Sequence, residues 1–321
     1  MKFKLRIRGK MAAVLCLGLS FFLAAGAGSY VLQGAHVIDL MAQRLGRADS
    51  LYLLQKQIIY PESPPQVSAD CPGGNCPEPA VAPPPDLWQM QPAAAEAVPA
   101  PQEPIVIPEA VRYVFSRAFR SDLESDAASR IYVSSGGRSL TIVDGVRTPE
   151  ARNRFDWYKD LLLYRERPRL VEHLSHLGVD VSVTSLGRFE GQIAYVLGAI
   201  YPDESVVQVW IDKETFRPLR WIIPGAAGGG TDALDIRYFE WRDLGEIRYP
   251  MRIEFFQNGE MTRVIEAERY EVDAGFSNDL FDIERLRAEY PATAETASGA
   301  GSREGMSDIQ RALEDFKRLF E

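Results

Sequence analysis

Histidine and cysteine are scarce in this chain, at three residues each among 321. His36 stands alone. His173 and His176 share a helical face beside Glu172, but no third ligand is near in sequence, which argues against a metal centre. Cys16 lies inside an apolar run near the start. That leaves Cys71 and Cys76 in CPGGNC, which is not the C-x-x-C of a redox enzyme. In an oxidising compartment its expected state is a local disulfide. No serine sits in a G-x-S-x-G context, and GAAGGG at 225–230 lacks the Gly-Lys-Ser/Thr ending of a phosphate loop. The reading is therefore non-enzymatic, with no metal, no cofactor and no catalytic residue.

Positive charge is also in short supply. The formal net charge is -9, and five of the positive charges fall in the opening MKFKLRIRGK. The apolar run MAAVLCLGLSFFLAAGAG follows and ends in Ala25-Gly26-Ala27, the layout of a secretory signal peptide over residues 1–27. Cleavage after Ala27 removes five positive charges from -9 and leaves -14. So acidic a chain does not neutralise phosphates, which excludes nucleic acid as a partner. Met11 to Gly28 is just long enough to span a bilayer, so an uncleaved anchor is the alternative. Either way the remainder is expected outside the cytoplasm, in a periplasm.

Proline is rare except in one place. Between Pro61 and Pro108 the chain carries 14 of its 21 prolines, a composition that builds no core and reads as an insertion holding the disulfide. Residues 28–60 before it contain a helical stripe (Val37, Ile38, Met41, Leu45, with Gly46 to end it) and one strand. Residues 109–287 form the main domain. There, VRYVFSRAFRSDL, RIYVSS and SLTIVDG read as strands and RNRFDWYKDLLLYR and PRLVEHLSHLG as helices. A long antiparallel meander follows, with Asn258-Gly259 as its clearest hairpin turn. Residues 288–306 read as a flexible tail. Residues 307–321 read as an amphipathic helix carrying Ile309, Leu313, Phe316 and Phe320, which either packs back or docks a partner.

The meander strands each have one apolar face. Alternation puts Ile193, Tyr195 and Leu197 together, then Val207, Val209 and Ile211, and then Leu219, Trp221 and Ile223. Leu234, Ile236 and Tyr238 follow, then Met251, Ile253 and Phe255. A twisted meander of this length curls, and its concave side encloses either packed helices or an apolar cavity. The expected fold class is α+β, a curled antiparallel sheet tending toward a β-barrel, with helices covering part of its concave side.

The order of several short motifs resembles the periplasmic outer-membrane lipoprotein carrier and lipoprotein-sorting family. They are V-x-V-W-I-D-K-E-T-F-R-P-L-R from Val207, a strand with RYFEW, then RYP-x-R-I, and N-D-L-F-D-I at Asn278 to Ile283. The opening AHVIDLMAQRLGRADSLYLLQKQIIY is similar to the family's start. VFSRAFR, Val114 to Arg120, is similar to its Arg-Pro-x-x-Phe-Arg strand without the proline. The likeness runs from about Ala35 to Leu286, interrupted by the insertion. It implies an unclosed β-barrel covered by helices, a carrier that shelters the acyl chains of lipoproteins or lipids in a cavity lined by the faces above, Leu234 aside, together with Tyr113 and Phe115. It also implies that Arg117, on their face by alternation, latches a covering helix through backbone carbonyls; the alternative is an arginine reaching water. Two other readings are an envelope-stress regulator of the same architecture, contacting an inner- or outer-membrane protein through the C-terminal helix, and a non-catalytic structural protein of the envelope. Oligomeric state is not legible.

Overall fold

The computed structural model describes residues 31–61, 103–126, 128–148, 153–225 and 233–292. The expected signal peptide, Cys71 and Cys76, most of GAAGGG and the expected C-terminal helix lie outside these residues. Thirteen strands form one antiparallel sheet. They are β1 (Ser50–Ile59), β2 (Ile105–Val114), β3 (Ala118–Glu124), β4 (Ser129–Ser135), β5 (Arg138–Val143) and β6 (Val146–Arg147). The second run is β7 (Thr184–Phe189), β8 (Gln192–Leu197), β9 (Gln208–Asp212), β10 (Pro218–Ile223), β11 (Leu234–Leu244), β12 (Ile247–Gln257) and β13 (Glu260–Val272). Four helices accompany them: α1 (Gly34–Arg44), α2 (Asp160–Leu163), α3 (Arg167–His176) and α4 (Ile283–Glu289).

The sheet order is β6-β5-β4-β3-β2-β1-β13-β12-β11-β10-β9-β8-β7. Neighbours within each half are consecutive along the chain, and the halves meet at the β1–β13 pair, with Leu51 opposite Val272. β6 and β7 stand at opposite edges and do not pair, so the barrel is unclosed, as the resemblance implies. The expected Asn258-Gly259 turn is present, both residues at positive φ. The Pro-rich segment leaves β1 at Ile59 and returns opposite it at Ile105. Residues 105–108, assigned to the insertion from composition, belong to β2, where Pro108 lies opposite Lys56.

The concave face is covered by separate short pieces. Val37, Ile38, Met41 and Leu45 of the α1 segment are fully buried against it. So are Leu161, Leu162, Leu170 and Leu174 of α2 and α3. Gly46 ends α1 at φ +86, and a Cβ there would stand 2.0 Å from Glu246 O, so only glycine fits. The convex face has apolar clusters of its own. α4 sets Ile283 and Leu286 on Val133, Leu140 and Ile142, while Trp210 is buried among Ala194, Val196, Leu219 and Ile222.

Candidate functional site

Fourteen of the sixteen residues expected to line the concave face lie on it. Tyr113, Phe115, Tyr195, Leu197, Val209, Ile211, Trp221, Ile223, Ile236, Tyr238, Met251, Ile253 and Phe255 all belong to one buried cluster, with Val207 half-buried against it. Two differ. Leu219 sits at a register irregularity between Pro218 and Arg220, and this turns it into the convex cluster around Trp210. Ile193 keeps its alternation but lies beyond the cover at the end of β8 and is 43% exposed.

Side chains of the chain itself occupy the concavity. The segment from the 3₁₀ turn Arg154–Lys159 into α2 inserts Phe155, Trp157 and Tyr158. Trp157 meets Trp221 at 6.0 Å between ring centroids, Phe155 meets Phe255 at 5.8 Å, and Tyr158 meets Phe255 edge-on at 5.9 Å. The Tyr238 hydroxyl donates to Tyr158 O at 3.0 Å, pinning the plug by its backbone.

The concavity also has a polar end. Gln55 lies opposite Glu109 across the β1–β2 pair, and both are buried. The Glu109 carboxylate accepts from Gln55 Nε2 at 2.6 Å, from Gln57 Nε2 at 2.9 Å and from the Ser121 hydroxyl. Arg263 is buried nearby, stacked on Phe155 at 4.5 Å, and burial lowers its pKa to about 10. The Gln55 and Gln57 Oε1 atoms have no partner among the described residues.

Arg117 does not perform the latch role implied for it. VFSRAFR is not one strand: Phe115 to Arg117 form the turn between β2 and β3, and Arg117 points to solvent. The residue with latch geometry is Arg165, between α2 and α3. Its guanidinium stacks on the Phe115 ring at 3.6 Å and donates to Leu45 O at 2.8 Å, Gly46 O at 3.0 Å and Leu162 O at 3.2 Å. It ties the end of α1 to the plug. No carboxylate pairs with it among the described residues, its Nη2 has no partner, and burial lowers its pKa to about 9. Sequence reasoning missed it because alternation finds strand faces and Arg165 lies in a connection. Gln55 and Gln57 were findable as polar residues on the face of Leu51 and Leu53.

His173 and His176 have partners other than a metal. His173 Nε2 lies 2.9 Å from Asp160 Oδ2, and His176 Nδ1 lies 2.8 Å from Glu172 O. Asp160 is buried with Lys159, whose Nζ is 2.7 Å from Asp160 Oδ1 and faces the Phe119 and Tyr132 rings at 5.6 and 5.3 Å. Burial opposes both charges, yet the pair raises the Lys159 pKa and lowers that of Asp160, where His173 adds to the effect.

The fold with its concave site is that of a curled, unclosed antiparallel sheet over helices. Solved structures similar to it include a putative outer membrane lipoprotein-sorting protein domain from Vibrio parahaemolyticus. That likeness has 10% identity and a TM-score of 0.48, covering 78% of this chain and 97% of that one. Another is a LolA superfamily protein from Nitrosomonas europaea, at 11% identity and TM-score 0.47, covering 79% and 99%. A third is a DUF1329 family protein from Desulfovibrio piger, at 11% identity and TM-score 0.45, covering 79% and 98%. No protein-family profile and no curated protein matches the chain.

Proposed function

We propose that this chain is a periplasmic carrier that takes the acyl chains of lipoproteins or lipids onto the concave face of its sheet, with the aromatic plug displaced to admit them. The observation that carries this reading is Arg165. A buried guanidinium without a carboxylate is a poor device for stability, because its burial is not offset by an ion pair. It is a good device for a cover that must open, since release returns the charge to water and frees α1 and the plug together. Acyl chains gain roughly 0.8 kcal/mol per methylene on leaving water, so several methylenes repay the opening.

Native mass spectrometry of the protein purified from its own periplasm tests the reading, alongside uptake of a fluorescent fatty acid. Trp157→Ala hollows the plug while leaving the sheet intact, and is expected to increase uptake over the native chain. A folded protein that carries no lipid and takes up no fatty acid, as native chain and as Trp157→Ala, overturns the proposal.

A further inference from the structure

A cleft of 560 Å³ opens between the β4–β5 turn and α3, outside the acyl face described above. Its walls are aromatic, with Tyr132, Trp157 and Tyr164 on its lining, and the Tyr164 ring lies tilted against His173 at 4.7 Å. Its charge is opposite to that of the chain. The lining holds four cationic side chains, Arg117, Arg138, Lys159 and Arg169, against two carboxylates, Asp160 and Glu172, whereas the whole chain carries -9.

The partners of these groups decide what the cleft offers a ligand. Asp160 is buried, with one oxygen held by Lys159 and the other 2.9 Å from His173 Nε2, so it does not present an open carboxylate. Arg138 pairs with Glu284 where both are largely exposed, and contributes little. Arg169 donates one nitrogen to Ser116 O and lies 3.8 Å from Glu166, leaving further N–H groups. Arg117 makes no side-chain hydrogen bond or ion pair among the described residues, and neither does the hydroxyl of Tyr132 or Tyr164. An arginine fork and two phenol donors beside an aromatic wall suit a tetrahedral anion attached to carbon.

We propose that this cleft binds a phosphate ester. Arg117 and Arg169 hold the anion, the Tyr132 and Tyr164 hydroxyls donate to its oxygens, and Trp157 covers the carbon portion. Trp157 also rests on Trp221, so the cleft adjoins the acyl face, and a lipid held there would place its headgroup in the cleft. That placement rests on the carrier reading; the anion site itself does not.

Calorimetric titration of the full chain at low salt tests the site, with sn-glycerol 3-phosphate as probe and glycerol as control. Saturable binding of the phosphate is expected, weakened about tenfold by Arg117→Ser, the loss of one charged hydrogen-bonding partner. Arg188→Ser, at an exposed arginine of β7, is expected to leave it unchanged. Dihexanoyl phosphatidic acid below its micelle concentration separates the sources. Tighter binding in competition with glycerol phosphate supports a lipid headgroup, and equal binding supports a soluble ester. Phosphate binding no tighter than glycerol, or unmoved by Arg117→Ser, overturns the site. A chain that takes up fatty acid but ignores glycerol phosphate loses this inference and keeps the carrier.

Discussion

Replacing Arg165 by methionine separates a latch from a structural keystone. The side chain makes three hydrogen bonds to carbonyls, at 2.8, 3.0 and 3.2 Å, and covers the Phe115 ring. Burial lowers its pKa to about 9, which marks a desolvation cost of roughly 5 kcal/mol that the carbonyl bonds offset in part. Methionine keeps the contact with Phe115, removes that penalty and adds apolar burial of about 2 kcal/mol. Against this, Gly46 and Leu162 carbonyls lose a donor at about 1 kcal/mol each, while Leu45 O retains Arg248 N at 2.9 Å. Arg165→Met is therefore expected to be at least as stable as the native chain in urea unfolding followed by tryptophan fluorescence. Locally the effect reverses: amides of α1 through Gly46 should exchange about tenfold faster, and fatty-acid uptake should quicken. A loss of more than about 2 kcal/mol in global stability, with α1 exchange unchanged, refutes the latch.

Other outcomes follow from the same geometry. Lys159→Met leaves Asp160 charged, buried and without its cation, and should lower stability by about 3–5 kcal/mol in urea. Asp160 has a lowered pKa in the folded state, so the unfolded chain binds the proton first as pH falls. Its contribution is present above the unfolded value near 4 and is lost through the folded value; Asp160→Asn should flatten this acid limb of a thermal-melt series. Glu109→Leu strands the Gln55 and Gln57 amides and should cost about 3 kcal/mol, with Glu109→Gln milder. Gly187→Ala places a Cβ 2.7 Å from the Trp210 ring and should lower stability by about 1–3 kcal/mol.

Much of the sheet was legible because period-2 alternation is a local signal. Tyr195 to Phe255 took their face from it, and positive-φ turns such as Asn258-Gly259 set the hairpins. The errors arose where one residue breaks the period. The irregularity beside Pro218 turned Leu219 outward, and the turn at Phe115 to Arg117 ended a strand that composition continues. The site was less legible than the fold. Whether the apolar face meets helix or empty space depends on where the 154–163 segment docks, and alternation carries no information about that. Arg165 and the cleft around Arg117 combine residues from α1, β4, the plug and α3, which are remote in sequence.

The β1–β13 seam has a consequence for how the chain reaches this state. Every other strand pair joins neighbours along the chain, so each half can zip up from its own hairpins as they emerge. β1 cannot complete its pairing until β13, the last of the thirteen described strands to appear, arrives beside it. A chain emerging N-terminus first therefore waits with the outer edge of β1 unpaired and its apolar concave face bare. Within that interval it is a client for chaperones and exposed to aggregation.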